Sequence, residues 1–454
     1  MNITDYNEAD CISIWAHYKR LLELCTADAA DMEKFLANPE KIINEAGLSL
    51  DGAAAKEAIE VHLRGIKTKN PNFYIELIDR LSKGQSCRKE LLTERICPDN
   101  FSNQDLKAWF LRERNWNLYG SALVRKYTKE MRTYTAPISF ELTKGCSGRC
   151  PFCCLAPQAL EECFYYNDEN ADLWNSILVR TKEIIGDISG TGVCYFATDP
   201  FDNPDYEKFI EDFHRVFGYY PITTTVKALD DINRTKNFMQ MLGEEQLKQS
   251  IVRFSIISKR QLERVYQAFT PEELVNIDLT LNNPESILGY SLAGRAINLK
   301  EKLPDEKFIP NYSPVCTTGF VVNMPQRSIR LLAPRNSDTG MRLYETMTFT
   351  DESSYESAIY ELIAKWMKSE IPADKKICNN NITYERNGNY LKITGDKIHR
   401  TISLSEAAYQ SLIRMLEGYT LKELFEELSM TEYERLSTTR FVQFLYDNGY
   451  IDIA

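Results

Sequence analysis

Apolar positions recur at helical spacing through residues 10 to 66, where YKRLLELCTADAADMEKFLANPEKIINEAGLSL places them three and four apart. Asn38-Pro39 predicts the start of a second helix, because proline suits a first turn. Gly47 predicts its end. Residues 71 to 134 also read as helical and close in the charged, aromatic run LKAWFLRERNWNLYGSALVRKY. Trp109 and Trp116 read there as helix-packing residues, since aromatics bring large buried area.

From Ala136 the pattern changes. APISFEL predicts a strand ending in a cysteine loop. TGVCYFAT, PITTTVKA, SIVRFSIIS, VNIDLTLNN and CTTGFVVNM predict the second to sixth strands. Between them NPDYEKFIEDFHRVFG, DINRTKNFMQML and KRQLERVYQAF predict helices, with a further helical stretch near SLAGRAINL. Strands alternating with helices imply parallel β/α units. The expected fold is therefore α/β, a partial (β/α)6 barrel with its site loops at the C-terminal strand ends, by analogy with full barrels.

Beyond residue 383 the texture changes again. NGNYLKITGDKIHRTISL predicts a small hairpin pair with glycine turns. SEAAYQSLIRML and TLKELFEELS predict amphipathic helices split by Gly418, and RFVQFLYDNGYIDI adds a helix and a last strand. The pattern is winged-helix-like. The expected organisation is a helical region over 1–134, the barrel over 135–350, a helical linker over 351–382 and the winged-helix-like domain over 383–454.

With 43% hydrophobic residues the chain has material for a sizeable core, while a net charge of −11 argues against a broad nucleic-acid surface. MNITDYNEAD lacks the basic start and apolar core of a signal peptide. No apolar run approaches the roughly 18 residues that suggest a membrane span, so a cytoplasmic protein is expected, with neither nucleic acid nor membrane as partner.

Four of the twelve cysteines fall between positions 146 and 154. A tight cluster in a large chain without a secretion signal points to metal or redox chemistry rather than a disulfide framework. In ELTKGCSGRCPFCCLAP, Cys146, Cys150 and Cys153 have C-x3-C-x2-C spacing, and thiolates favour iron–sulfur clusters or zinc. Three ligands can hold three irons of a 4Fe–4S cluster and leave the fourth open, whereas structural zinc usually takes four protein ligands. Cys154, adjacent to Cys153, is poorly placed to chelate beside it, and no second CxxC follows. Gly145 and Gly148 allow a tight turn that aims N–H groups at sulfur. Spacing alone leaves cluster and zinc both open.

This loop, with Phe152 before its third cysteine, resembles the signature of the radical S-adenosylmethionine superfamily. The resemblance implies one 4Fe–4S cluster on Cys146, Cys150 and Cys153, with S-adenosyl-L-methionine at the open iron. Ala197-Thr198-Asp199-Pro200 stands where that superfamily carries Gly-Gly-Glu-Pro. Ala197 is thereby implied as cofactor-binding, Thr198 and Asp199 at the methionine amino group, Ser255 at the ribose, Asn282 near another cofactor contact, and Gly319 near the adenine. Ser255 and Gly319 also fit as ordinary strand residues.

ATDPFDNPDYEKFIEDFHRVFGYYPITTTVKA and GFVVNMPQRSIRLLAP are similar to the radical peptide epimerases that mature ribosomally made, proteusin-type peptides. This likeness runs from about Leu106 to Asp351. It implies conversion of L- to D-residues by hydrogen abstraction at Cα, a precursor peptide with a leader, and an electron donor such as flavodoxin or ferredoxin. FLANPEKIINEAGLSLD resembles the nitrile-hydratase-like or Nif11-like leaders of such precursors. SLSEAAYQSLIRMLEGYTLKEL resembles small winged-helix domains that bind leaders, where a strand edge can accept an extended peptide; a DNA-binding or purely structural role is the alternative.

One departure bears on the outcome. The epimerase pattern places a hydrogen-donating cysteine after the segment matching RLLAP, and here that position is Arg335, followed by Asn336. Cys316 is then the best remaining thiol donor, and a plain buried strand residue is its alternative reading. The departure keeps two other functions in view: another radical peptide modification, such as cross-linking or backbone excision, and a non-catalytic peptide-binding relative.

Overall fold

The computed structural model describes residues 8–67, 72, 74–76, 97–120, 135–249, 251–309, 313–335, 337–380, 382–395 and 398–454. Cys87, Asn336 and most of the helical stretch expected over 71–134, including 121–134, lie outside the described residues, and the side chain of Trp116 is likewise not described.

The amphipathic N-terminal region forms α1 (Glu8–Ala27), α2 (Ala29–Ala37), α3 (Pro39–Glu45) and α4 (Gly52–Arg64). Its breaks have local causes. The Asp28, Asn38 and Asp51 side chains accept from the backbone N–H groups of Ala30, Lys41 and Ala54, satisfying donors that a helix start leaves orphaned. Pro39 fills the first turn of α3, and Gly47 follows its end at φ +64°. Tyr18, Leu21, Phe35, Ile43 and Ile59 close a separate apolar cluster. Specific contacts seat this unit on the α/β region: Arg20 donates to the Phe269 carbonyl at 2.7 Å, Lys259 pairs with Asp28 at 2.6 Å, and Asn283 Nδ2 donates to the Ala27 carbonyl at 2.8 Å.

Next come α5 (Gln104–Gly120), β1 (Ala136–Glu141), β2 (Thr143–Lys144), β3 (Glu162–Cys163), α6 (Asp168–Ile185), α7 (Tyr206–Phe217), β4 (Thr223–Thr225), α8 (Ile232–Leu247), β5 (Val252–Ile256), α9 (Lys259–Ala268) and β6 (Asp278–Leu281). Every residue of β1 is buried, as in parallel strands covered on both faces. Strands β4, β5 and β6 form a parallel sheet with α8 and α9 as crossovers. Trp109 of α5 is fully buried in the main core, as its helix-packing reading anticipates.

The architecture departs from the expected barrel at two places. TGVCYFAT is not a regular strand: a 3-10 turn over Asp187–Thr191 runs into its first residue, and among the described residues one parallel bridge, Ser139 to Val193, is the only backbone pairing between the segment and β1. Farther along, the Ala197 N–H is taken by the Glu141 side chain of β1 at 2.9 Å rather than by a backbone carbonyl. The sixth predicted strand, β9 (Thr317–Asn323), lies parallel beside the first strand β1, and no ladder joins it to β6 among the described residues. Among the described residues no helical crossover precedes it. The stretch near SLAGRAINL is a 3-10 turn, Gly294–Leu299, between the short paired strands β7 (Tyr290–Ser291) and β8 (Phe308–Ile309). After β9 the sheet extends antiparallel through β10 (Ser328–Pro334) and β11 (Met341–Thr348). The fold is mixed α/β: among the described residues the β1–β9–β10–β11 and β4–β5–β6 sheets are separate, the bridge at Val193 adds one residue beside β1, and no closed barrel forms.

The segment 351–382, expected as a helical linker, is helical only over α10 (Glu352–Trp366); β12 (Ile377–Asn379) follows. Strands β13 (Thr383–Asn387), β14 (Tyr390–Gly395) and β15 (Ile398–Ser403) form an antiparallel sheet. Helices α11 (Glu406–Leu416), α12 (Leu421–Glu427) and α13 (Glu432–Asp447) precede β16 (Ile451–Ile453), which pairs with β12. Leu391, Ile393, Leu412, Leu424, Val442 and Tyr450 share a core with Ile371, Ile377 and Ile382, so this unit draws on residues before 383. Among the described residues no helix is long and apolar enough to cross a membrane.

Candidate functional site

The cysteine loop leaves β1 and is clipped at its base by the antiparallel pair β2 and β3. Gly145 has φ +82°, and a Cβ there would collide with the Ala159 carbonyl, so the turn admits only glycine. The Cys146 N–H donates to the Gln158 carbonyl at 3.0 Å. Gly148 is closely packed: a Cβ there would sit 2.8 Å from Val226 Cγ1, 3.5 Å from Cys146 Sγ and 3.7 Å from Cys150 Sγ. The Gly148 N–H points at Cys146 Sγ at 3.4 Å. The Cys153 N–H donates to the Cys150 carbonyl at 3.2 Å.

Burial pushes the Cys146 thiol up to about 11 and the Cys150 thiol up to about 12. Both are therefore protonated at neutral pH, and a bound metal would supply the charge that makes them thiolates. Among the described residues no three His, Cys, Asp or Glu side chains converge on a single ion. A cubane asks for something else, one thiolate at each of separate iron corners. Two thiols that meet at one glycine, with its N–H aimed at one of the sulfurs, fit that group.

Residues remote in sequence fix the loop. Asp202, buried at the turn after Asp199, accepts from the Ser147 N–H at 2.8 Å and from Lys227 Nζ at 2.8 Å. Arg295 Nε donates to the Cys150 carbonyl at 3.0 Å and Nη1 to the Pro157 carbonyl at 3.2 Å. Phe152 stacks on Tyr290, centroids 6.3 Å apart and rings 7° from parallel, and Tyr290 donates to the Asn282 carbonyl at 2.8 Å. Asn282 is thereby tied to the loop.

Ala197, Thr198 and Asp199 follow the bridge at Val193. Glu141, at the end of β1, holds Ala197 through its N–H and itself accepts from Asn323 Nδ2 at 2.9 Å and pairs with Arg330. Thr198 is half-buried. The Asp199 carboxylate accepts from Thr225 Oγ1 at 2.7 Å, the Val226 N–H at 2.8 Å and the Phe201 N–H at 3.0 Å. Burial outweighs these bonds and pushes its pKa up to about 6. Three of its roughly four acceptor positions are thus occupied by its own chain.

Ser255 is buried in β5, in register with Thr280 of β6. Gly319 has φ +139°, and a Cβ would fall on the Pro137 carbonyl, so the close approach of β9 to β1 requires glycine at that point. Cys316 precedes β9. With Cys154 and Ala197 it packs against an apolar cluster of Phe196, Val315, Val321 and Leu332. Burial raises both thiols above their ordinary range.

Arg335 belongs to a different structure. Its guanidinium pairs with Glu113 of α5 and lies 3.7 Å from Asp452 of β16. Asp452 is also 3.6 Å from Arg112 and 2.9 Å from Arg342, and accepts from Tyr344 at 2.7 Å. The position where the resemblance expects a thiol is thus a strut between α5, the β10–β11 pair and the C-terminal unit.

The braces Glu141, Asp202, Lys227 and Arg295 are absent from the sequence reading. Asp202, three residues beyond Asp199 in ATDPFD, was within reach of it. Arg295 had no local signal, because the Cys150 carbonyl it serves lies 145 residues away.

No protein-family model matches the chain. The uncharacterized protein y4wI of Sinorhizobium fredii is 28% identical over 328 residues, 69% of this chain and 63% of that protein, so the chain spans under two thirds of this relative's length. Among solved structures, that of BtrN in complex with AdoMet and 2-DOIA overlays with a TM-score of 0.31 and 13% identity, covering 52% of this chain and 84% of that one.

Proposed function

We propose that the chain is a radical S-adenosylmethionine enzyme that modifies a ribosomally made peptide, with one 4Fe–4S cluster on Cys146, Cys150 and Cys153. The observation that carries this reading is the packing at Gly148, whose missing side chain lets Cys146 Sγ and Cys150 Sγ approach one backbone position while its N–H addresses the Cys146 sulfur. The cluster and S-adenosylmethionine, when bound, supply one-electron cleavage of the sulfonium and a hydrogen-abstracting radical; the protein positions and shields them. In this reading Asp202 and Arg295 hold the loop, and Glu141 holds Ala197 against the site. The apolar cluster around Phe196 and Val321 keeps water from the radical.

The peptide reading rests on the resemblance of ATDPFDNPDYEKFIEDFHRVFG and RLLAP to the epimerases. Epimerisation needs a hydrogen donor, and Cys316 is a protonated thiol in the apolar cluster. Cross-linking or backbone excision is the second reading, favoured by the engagement of Arg335 with Glu113 where the pattern expects a cysteine. The C-terminal unit is assigned to the precursor's leader, which would add to an edge of the β13–β15 sheet. A flavodoxin or ferredoxin supplies the electron, and the setting is cytoplasmic.

The test is anaerobic reconstitution, reduction, and incubation with S-adenosylmethionine and the candidate precursor in heavy water. Inverted residues that each carry one deuterium at Cα establish epimerisation. A product lighter by two hydrogens without D-residues replaces it with cross-linking. Failure of the reduced protein to cleave S-adenosylmethionine sinks the enzyme reading.

A further inference from the structure

Arg295 reaches the cysteine loop from the turn that replaces the expected helix after the fifth strand. Its backbone N–H donates to the Cys153 carbonyl at 2.9 Å. Its guanidinium spans two more carbonyls, Cys150 at 3.0 Å and Pro157 at 3.2 Å. The preceding residue, Gly294, has φ +55°, and a Cβ there would collide with the carbonyl oxygens of Cys153 and Cys154. The Gly294 N–H is tied at 2.7 Å to the Asp338 carbonyl, in the connection between β10 and β11. Ala296 is fully buried beside Tyr290, the ring on which Phe152 stacks. The residue is thus anchored on both sides before its side chain meets the loop.

We propose that Arg295 is the positioning residue of the cluster loop, which fixes the main chain at Cys150 and Cys153 and sets a permanent positive charge beside the cluster. This rests on the reading that Cys146, Cys150 and Cys153 hold a 4Fe–4S group. A guanidinium offers five N–H donors in a rigid fork, so one side chain can hold two carbonyls at fixed separation; a lysine keeps the charge but loses the fork. Charge and hydrogen bonding around a cluster set its potential. Reduction adds one negative charge, so a neighbouring cation favours the reduced form.

The two contributions separate in Arg295→Met and Arg295→Lys. Both variants and the wild-type full chain are reconstituted anaerobically, titrated for the midpoint potential by electron paramagnetic resonance, and challenged with a chelator. Partners that orient a metal ligand typically carry about 10- to 100-fold in affinity, so the Met variant is expected to lose iron at least about 10-fold faster. Its potential is expected to move negative, while the Lys variant keeps the wild-type potential but loses iron faster. Arg295→Gln replaces the Met variant should circular dichroism show the latter unfolded. Wild-type potential and wild-type iron loss in the neutral variant overturn the proposal while leaving the cluster reading intact. A wild-type chain that takes up no cluster overturns both.

Discussion

Arg335→Met tests whether the thiol expected at this position has been replaced by a load-carrying ion pair. Three guanidiniums, Arg112, Arg335 and Arg342, meet two carboxylates, Glu113 and Asp452. The Glu113 and Asp452 side chains are 1% and 2% exposed and Arg335 10%, so water screens the group little. Burial opposes the charge on Arg335, but Glu113, with Tyr344 and Asp452 behind it, more than compensates and lifts its pKa above the ordinary arginine value. Unit charges about 4 Å apart interact by roughly 4 kcal/mol at an effective dielectric constant of about 20. Removing one partner of a buried pair typically costs about 3–5 kcal/mol. The formal surplus of one positive charge makes the two sides unequal. Arg335→Met leaves two cations with two anions, and Glu113 keeps Tyr344 at 3.3 Å and Arg112 at 4.0 Å. Glu113→Gln leaves three cations with one anion. The arginine variant should therefore lose about 3 kcal/mol and the glutamate variant about 5 kcal/mol, the two ends of that range. Urea unfolding of the full chain, compared at equal slope, reads the difference. A loss under about 1 kcal/mol for Arg335→Met, or a larger loss for it than for Glu113→Gln, would refute the charge-balance argument.

Cys146→Ala, Cys150→Ala and Cys153→Ala should each abolish 4Fe–4S absorbance after reconstitution, while Cys154→Ala retains it; retained absorbance in a Cys150→Ala protein would remove that ligand. Asp199 should destabilise the fold at neutral pH. Because its folded pKa is raised to about 6, its stabilising contribution is complete below the unfolded value near 3.8 and is lost as pH rises through 6, a swing of about 3 kcal/mol. The stability of wild type relative to Asp199→Asn should then fall by that amount from pH 3.5 to pH 7, and a flat difference would show that Asp199 titrates normally. Gly319→Ala must place a methyl group on the Pro137 carbonyl at φ +139°, so roughly 3 kcal/mol or more should be lost in thermal unfolding; an unchanged melting temperature would mean that β1 and β9 separate freely.

What the chain reveals locally is what local physics decides. The start of α3 at Pro39, the stop at Gly47 and the cysteine spacing each depend on neighbours within a few residues. The second segment pairs with β1 only at Val193 among the described residues, and its Ala197 N–H goes to the Glu141 carboxylate, 56 residues earlier. No hydrophobic pattern records such a donor's destination. The sixth strand was recognised but its partner was not: Thr317–Asn323 reads as a buried strand whether it lies beside β6 or β1, and the choice of β1 is written in the fit of Gly319 over Pro137.

The same division runs through the candidate site. Glycines at 145 and 148 let the loop turn, but glycine also loses more conformational freedom on folding than any other residue. A loop of this composition does not order itself, since fixing each backbone costs about 1–2 kcal/mol. The compensating contacts must come from elsewhere, and they do: Asp202 holds Ser147, Arg295 holds Cys150, and Tyr290 holds Phe152. Arg295 lies on the turn after β7, Tyr290 in β7 itself, and Asp202 in a 3-10 turn beyond the Val193 bridge. Local sequence therefore settles which thiols are offered, and the topology settles where they point. A likeness to a cluster motif carries the first and leaves the second to residues such as Arg295, whose role becomes visible only when the chain returns to the loop.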